Sequence, residues 1–314
     1  MAGMWGSGDQ GAAETRARRA GSFGTQAAIY AEHRPDYPQA GIRWALEPVA
    51  AGDNPVVLDL GAARDDPVVL EPVAAGAEPV ALDSDPADNE LAVPRPDAVD
   101  YELVVLDLGA GTGKLSGGLL EAGVRVIAVE PDDAMRGEFE RRYPGVTALS
   151  GAAEAIPLAD GAVDAVVAGQ AFHWFDQALA FPEIARVLRP GGVFAAFWNN
   201  DDHRVDWVAG LHRVSRTSAS FPSATGGDTL PAHPLFEPFE SAEFDHTQRR
   251  SAASLTTAIG THSHTVVISE RERAEVLARI LDYLRARPET ATGEFDFPLR
   301  TGVIRAIRRP DTPA

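Results

Sequence analysis

Three glycines at alternate positions, Gly109, Gly111 and Gly113, follow a carboxylate, Asp107, that sits near the end of a short apolar run, VVLDL. Glycine tolerates positive φ and lets a ligand approach bare amide groups, so this spacing describes a tight turn that cradles a small ligand. The spelling D-x-G-x-G-x-G narrows that ligand. The dinucleotide fingerprint G-x-G-x-x-G requires glycine where Lys114 stands, and the phosphate loop G-x-x-x-x-G-K-[ST] requires glycine at Leu108 and a hydroxyl at Leu115. A carboxylate at the entrance repels a pyrophosphate and suits a cationic or amine-bearing ligand. A second acid, Glu130, closes the next apolar run, VRVIAV, 17 residues after Gly113. That is close to the spacing at which a doubly wound fold places an acid on ribose hydroxyls.

Further candidates lie downstream and upstream. In QAFHWF, His173 is either a general base beside an acceptor or a structural histidine held between Phe172 and Trp174. Trp174 and Phe175 either wall an apolar pocket, face a cation, or belong to the core. His262 and His264 are expected on one side of an extended segment, with no cysteine or carboxylate pattern to complete a metal site, and no metal is expected. Arg34 either pairs with an acidic acceptor or is solvated ahead of a proline turn.

The elements that must position these residues read as alternating strands and helices. Strands are expected at Val104, Val124–Val129, Val146–Leu149, Ala162–Ala168 and Val193–Trp198, the last after a helix stop and turn at Arg189-Pro190-Gly191-Gly192. Helices are expected near Gln39–Leu46, from Lys114, around Asp133–Arg142, at Val205–Ser215, and from a capping start at Ser269 through about Arg287. Strands at Glu243–Arg250 and Phe295–Ile307 complete the count. Upstream, Phe23, Ala27 and Tyr30 share one helical face that stops at Pro35 and Pro38.

An internal duplication interrupts this order. LEPVAAG occurs at Leu46 and again at Leu70, and VVLDLGA occurs at Val56 and again at Val104, 48 residues later. Only the second VVLDLGA carries the full glycine loop, which assigns the site to Asp107 rather than Asp59. The intervening residues 63–103 hold 11 acids, two arginines and six prolines, a net −9 that is half the charge of the chain. Such a segment buries too little to offset its ordering entropy and is expected to be a solvated, partly disordered excursion.

With the glycine loop, EPDDAM at Glu130, GAAEAIPL at Gly151, VDAVVAGQAFHWF at Val163 and LRPGG at Leu188, the chain resembles the class I S-adenosylmethionine-dependent methyltransferases. It is most similar to the small-molecule branch of the quinone-biosynthesis and trans-aconitate enzymes, over roughly residues 20–58 and 104–310. The resemblance implies an α/β fold: a Rossmann-like, seven-stranded, mostly parallel sheet with helices on both faces and a reversed final strand. It implies S-adenosyl-L-methionine as cofactor, with Asp107, Gly109, Ala110, Gly111, Gly113, Glu130 and Pro131 along its methionine and ribose part. Ala153 and Glu154 fall at the edge of its adenine, although Glu154 also reads as a helix-start carboxylate. Gln170 follows the fourth strand's carboxyl end, where open α/β sheets bind ligands. Tyr30, Arg34 and Tyr37 match a Y-x-x-x-R-P-x-Y-P pattern whose segment folds over the cofactor, or they simply pack the helix onto the body.

The implied organisation is a flexible N-terminus over residues 1–22 and one domain over 23–310. That domain carries a lid at 23–50, an acidic, partly repeated insert at 59–103 and a C-terminal cap at 200–310. Composition bounds the function. The chain of 314 residues is 45% apolar, ample for a core, and lacks cysteine, which excludes a thiol mechanism. A net charge of −18 opposes a nucleic-acid partner, since phosphate binding needs a basic footprint. No leader or membrane segment is recognisable, so a cytoplasmic protein acting on a small-molecule acceptor is expected, with the oligomeric state undetermined. The alternatives are a catalytically inactive S-adenosylmethionine-binding protein and, disfavoured by the glycine spacing, an NAD-dependent oxidoreductase.

Overall fold

The computed structural model describes residues 31–50, 102–220 and 232–310. Its centre is a seven-stranded sheet in the order β3-β2-β1-β4-β5-β7-β6. The strands are β1 (Val104–Leu108), β2 (Arg125–Val129), β3 (Thr147–Leu149), β4 (Val163–Gly169), β5 (Leu188–Asp201), β6 (Glu240–Ser251) and β7 (Glu294–Ile307). The first five pair in parallel, whereas β7 runs antiparallel to both β5 and β6. The fold class is therefore the one the sequence implies.

The period-two alternation of the central strands explains why both sheet faces are covered. Val105, Ala165, Val167, Ala195 and Phe197 point to one face, where they pack on Ile42 and Leu46 of α1 (Gln39–Ala50) and Leu115 and Leu119 of α2 (Lys114–Glu121). Leu106, Leu108, Val166, Phe194 and Ala196 point to the other, against Phe181, Ile184 and Val187 of α4 (Gln177–Val187). Between β2 and β3, α3 (Asp133–Arg142) starts at an Asp132 cap that accepts from the Ala134 and Met135 amides. A separate apolar cluster joins α5 (Asp206–Val214), α6 (Ala252–Gly260) and α8 (Glu270–Arg285) to Phe295, Phe297 and Leu299 of β7.

The strand at the centre is the second copy of the duplicated text. Asp107 and its neighbours lie between β2 and β4, in register with Ala128 and Val167. Because β1 is flanked by β2 on one side and β4 on the other, the chain reverses its winding there, and a crevice opens beyond the carboxyl ends. Residues 1–22, Tyr30, Asp59 and nearly all of the 59–103 insert lie outside the described residues, as does 221–231 of the loop before β6.

Two local expectations are corrected. β5 begins at Leu188 rather than Val193, because Leu188 pairs with Val163 across a register shift and the 191–192 turn exchanges backbone bonds with Arg308. His262 and His264 do not sit on an extended segment. His262 follows a turn at Thr261, and His264 lies within the short helix α7 (Ser263–Val266), which the Thr265 and Val266 amides tie back to the His262 carbonyl.

Candidate active site

The three glycines all take positive φ, at 72° for Gly109, 57° for Gly111 and 86° for Gly113. Their surroundings differ. A methyl group on Gly113 would stand 2.4 Å from the Tyr143 ring and 2.9 Å from Phe139, while one on Gly111 would meet nothing within 4 Å. Gly113 is thus required by packing, and Gly111 leaves an open face toward a cleft. The Gly109 and Ala110 amides donate to the Val129 carbonyl at 2.8 and 3.1 Å, and the Gly111 amide donates to Glu130 Oε2 at 2.8 Å.

Asp107 lies under this turn with 1% of its surface exposed. Its Oδ2 accepts from Ser116 Oγ at 2.7 Å, while Oδ1 has no hydrogen-bond partner among the described residues. Burial pushes the carboxyl up to about 7, against the opposing Ser116 hydrogen bonds, with the Glu130 charge adding to the rise. Glu130 is also raised by burial, and its Oε1 accepts from the Asp132 amide at 2.9 Å. Both of its oxygens thus brace the loop, and Pro131 beside it is exposed.

A cleft open to solvent is lined by Asp107, Gly109–Thr112, Lys114, Leu115, Gly169, Gln170, Asn199 and residues Arg34, Pro35 and Tyr37. Gln170 is the one non-glycine residue at positive φ among the described residues, at 54°. Such a conformation costs on the order of 1 kcal/mol and persists only where the surroundings fix it. Here the Gln170 amide donates to the Phe197 carbonyl and its Nε2 to the Asn199 carbonyl, both at 2.8 Å.

Residues 31–37 lie across the mouth. Arg142 Nη1 donates to the Ala31 carbonyl at 2.7 Å, Arg250 donates to the His33 carbonyl, and Asn199 Nδ2 donates to the Asp36 carbonyl at 3.1 Å. Lys114 Nζ pairs with Asp36 at 3.0 Å, and the buried Tyr37 ring stands edge-on to Phe197 at 5.7 Å. Arg34 Nη2 donates to the Thr261 carbonyl at 3.2 Å, which links this segment to the far end of the chain.

The other expected residues lie apart from the cleft lining. Ala153 is buried in the core cluster on the α4 side, and Glu154 Oε1 accepts from the amide of Asp176, the residue that caps α4, at 2.7 Å. His173 occupies a single 3₁₀ turn, 172–174, with its ring 4.6 Å from that of Trp174. Although part of its surface is open, desolvation lowers it to about 4, which leaves the imidazole neutral at pH 7. Phe172 is fully buried, and Phe175 packs against it edge-on and beside Gly109. Sequence reasoning gave Lys114 and Asn199 no role here. Lys114 had a signal in its place directly after the glycines; Asn199 had none.

Residues 106–196 match the methyltransferase domain family. An uncharacterized methyltransferase of Mycobacterium tuberculosis is 37% identical over 205 residues, which span 64% of this chain and 82% of that protein. The chain belongs to the methyltransferase family. An uncharacterized methyltransferase-like protein of Schizosaccharomyces pombe is 31% identical over 58% of this chain and 73% of its own length. In this methyltransferase the family segment contains the glycine loop, Glu130 and Gln170, whereas Arg34 and the His262–His264 turn lie beyond it. Among the described residues of the methyltransferase, no helix is long and apolar enough to cross a membrane, and no group of three His, Asp or Glu side chains is placed to hold a metal ion.

Proposed function

We propose that the methyl donor is S-adenosyl-L-methionine and that the acceptor is a small molecule. The observation that carries this reading is the Oδ1 of Asp107, buried, without a partner among the described residues, at the floor of a cleft whose rim is a glycine turn. A carboxyl poised near neutrality has most to gain from a cationic ligand, and S-adenosylmethionine brings an ammonium and a sulfonium. Gly111 presents the open face that a ligand packed on bare backbone requires. When bound, the cofactor supplies an electrophilic methyl group.

The chain's own residues would bind, orient and exclude water. Asp107 and the turn Gly109–Gly113 would hold the amino-acid part, with Glu130 and Pro131 beside the ribose and Ala153 and Glu154 near the adenine. Gln170 would close the floor, and Tyr30, Arg34 and Tyr37 would form the cover. Fixing two reactants in this way supplies roughly 7–11 kcal/mol of a barrier. The chain's net charge of −18 supports a small acceptor over a polyanion and fits a soluble cytoplasmic enzyme, and the Y-x-x-x-R-P-x-Y-P pattern supports the small-molecule branch. His173 stays a base candidate in this reading, from outside the cleft lining.

Incubating the full chain with S-adenosylmethionine and a panel of small hydroxy, carboxy and amino compounds should release S-adenosylhomocysteine with at least one of them. Release with none, in a protein that also fails to bind S-adenosylhomocysteine at millimolar concentration, would refute the reading.

A further inference from the structure

Residues 31–37 cross the mouth of the cleft, and one of them reaches both of its banks. The glycine-loop bank ends in Lys114, the first residue of α2, and the opposite bank carries Asn199 near the end of β5, with β4 lying between β1 and β5. Asp36 touches each. Its Oδ1 pairs with Lys114 Nζ at 3.0 Å, and its carbonyl accepts from Asn199 Nδ2 at 3.1 Å. Lys114 and Asn199 line the cleft, whereas Asp36 stands outside the lining. The other ties on this segment have partners away from the cleft: Arg142 on Ala31, Arg250 on His33 and Thr261 on Arg34.

Both anchors of Asp36 are fixed from behind. Thr301 of β7 is fully buried; its hydroxyl donates to Asn199 Oδ1 at 2.5 Å and meets His246 Nε2 at 2.9 Å. A hydroxyl has one proton, so His246 is the donor in that contact. With Oδ1 taken, Asn199 turns its N–H groups toward the crossing segment, where a carbonyl suits them. Lys114 keeps only 13% of its side-chain surface exposed, and burial presses its ammonium toward the neutral form while the Asp36 charge opposes this. The Asp36 side chain is 72% exposed, so polar ties rather than packing hold it in place.

The residue after Asp36 is the pivot. The Tyr37 ring is buried edge-on to Phe197, and a methyl group on Gly169 would stand 2.7 Å from its hydroxyl oxygen. The Pro38 carbonyl then accepts from the Gly41 and Ile42 amides at 2.9 and 3.2 Å, which starts α1. Upstream of the pivot, the ties from Arg142, Arg250 and Arg34 each run to a backbone carbonyl, and the Asp36–Lys114 pair alone among the ties named joins two charges. Salt or one substitution outside the lining therefore weakens this tie and leaves the cleft wall intact.

Resting on the reading of the cleft as the cofactor site, we propose that Asp36 is the latch of a gate. Residues 31–37 close over the cleft whether it is empty or loaded, and release of Asp36 from Lys114 lets the cofactor in and out. Asp36 is a positioning residue and does not touch the ligand. A contact made equally in the empty and the loaded closed states shifts both opening equilibria by the same factor, so it sets the rates of entry and exit and leaves affinity unchanged. An ion pair with one exposed partner also weakens as salt is added.

The test measures association and dissociation rates of S-adenosylhomocysteine by rapid mixing with the full chain and with Asp36→Asn, at low salt and at about 1 M salt. In Asp36→Asn both rates should rise together, about three- to fivefold, with the dissociation constant within about twofold of the wild type. The wild type in high salt should show the same paired rise, and the variant no further one. Thr301→Val keeps the branched shape but frees the Asn199 amide, and it should quicken both rates as well. Movement of the segment is read without ligand from a fluorophore on Glu32→Cys, an exposed position in a chain that has no other cysteine. Its anisotropy should fall in Asp36→Asn and in high salt. Faster dissociation alone, a changed dissociation constant, or rates indifferent to both substitution and salt would overturn the proposal. If the anisotropy responds and the homocysteine binds no sample, the cofactor reading fails and the latch stands; if the homocysteine binds and neither rates nor anisotropy respond, the latch fails alone.

Discussion

Asp107→Asn should make the protein more stable and nearly unable to bind S-adenosylmethionine. The carboxyl is held at about 7 in the fold against an ordinary 3.8, so the folded state binds more protons than the unfolded chain between those values. Stability is therefore lost as pH rises from about 4 to 7, and the full penalty persists above 7. A shift of this size amounts to up to about 4 kcal/mol for a fully desolvated group, and asparagine still accepts the Ser116 hydroxyl without paying it. Denaturant unfolding of both proteins should show a gap that is largest above pH 7 and closes toward pH 4. A variant no more stable than the wild type at pH 8 would show that Asp107 is not strained toward neutrality. The same change should weaken S-adenosylmethionine at least tenfold, since a charge-assisted contact is worth about 1.5–3 kcal/mol. Stability and binding would move in opposite directions, as expected where a site holds a group in its less comfortable state.

The second large effect separates two glycines two residues apart in the same loop. Gly113→Ala should destabilise the fold by about 3 kcal/mol, because it adds positive-φ strain to a collision with the Tyr143 and Phe139 rings. Gly111→Ala carries the strain without the collision and should cost about 1 kcal/mol, yet its methyl projects into the cleft and should reduce cofactor affinity at least tenfold. Thermal unfolding and ligand titration on both variants check this. Equal stability losses would mean that the rings behind Gly113 yield easily. Unchanged affinity in Gly111→Ala would mean that the ligand does not pack on that amide.

What the sequence made legible is what is local. The glycine loop, the acid after β2 and the strand–helix alternation are written in consecutive residues, although the side chains that close on the glycines, Phe139, Tyr143 and Ala171, come from later elements. The choice of the second VVLDLGA copy was legible for the same reason, because only that copy continues into the turn. The start of β5 was not, since Leu188 becomes a strand residue through Val163 and through the Arg308 backbone at the other end of the chain. The tie between the cleft mouth and the far end of the chain was not legible. Its decisive contact, Arg34 to the Thr261 carbonyl, spans 227 residues, and no periodicity in either segment announces the other. His262 and His264 stood out by type, but a turn rather than an extended segment sets their directions, and only the folded chain brings His212 near His264. His173 shows the converse. Its place after β4 drew attention, yet its ring rests on Trp174, outside the lining of the cleft.

The most direct measurement is calorimetric titration of S-adenosylmethionine into the full chain and into Asp107→Asn, from pH 5 to pH 8.5, in buffers of differing ionisation heat. A cationic ligand paired with Asp107 should bind more tightly as pH rises toward 7 and then level off. It should release a proton below 7, and lose both the pH dependence and at least tenfold in affinity in the variant. Tight binding that is independent of pH and survives in Asp107→Asn, or no binding to either protein, would contradict the account.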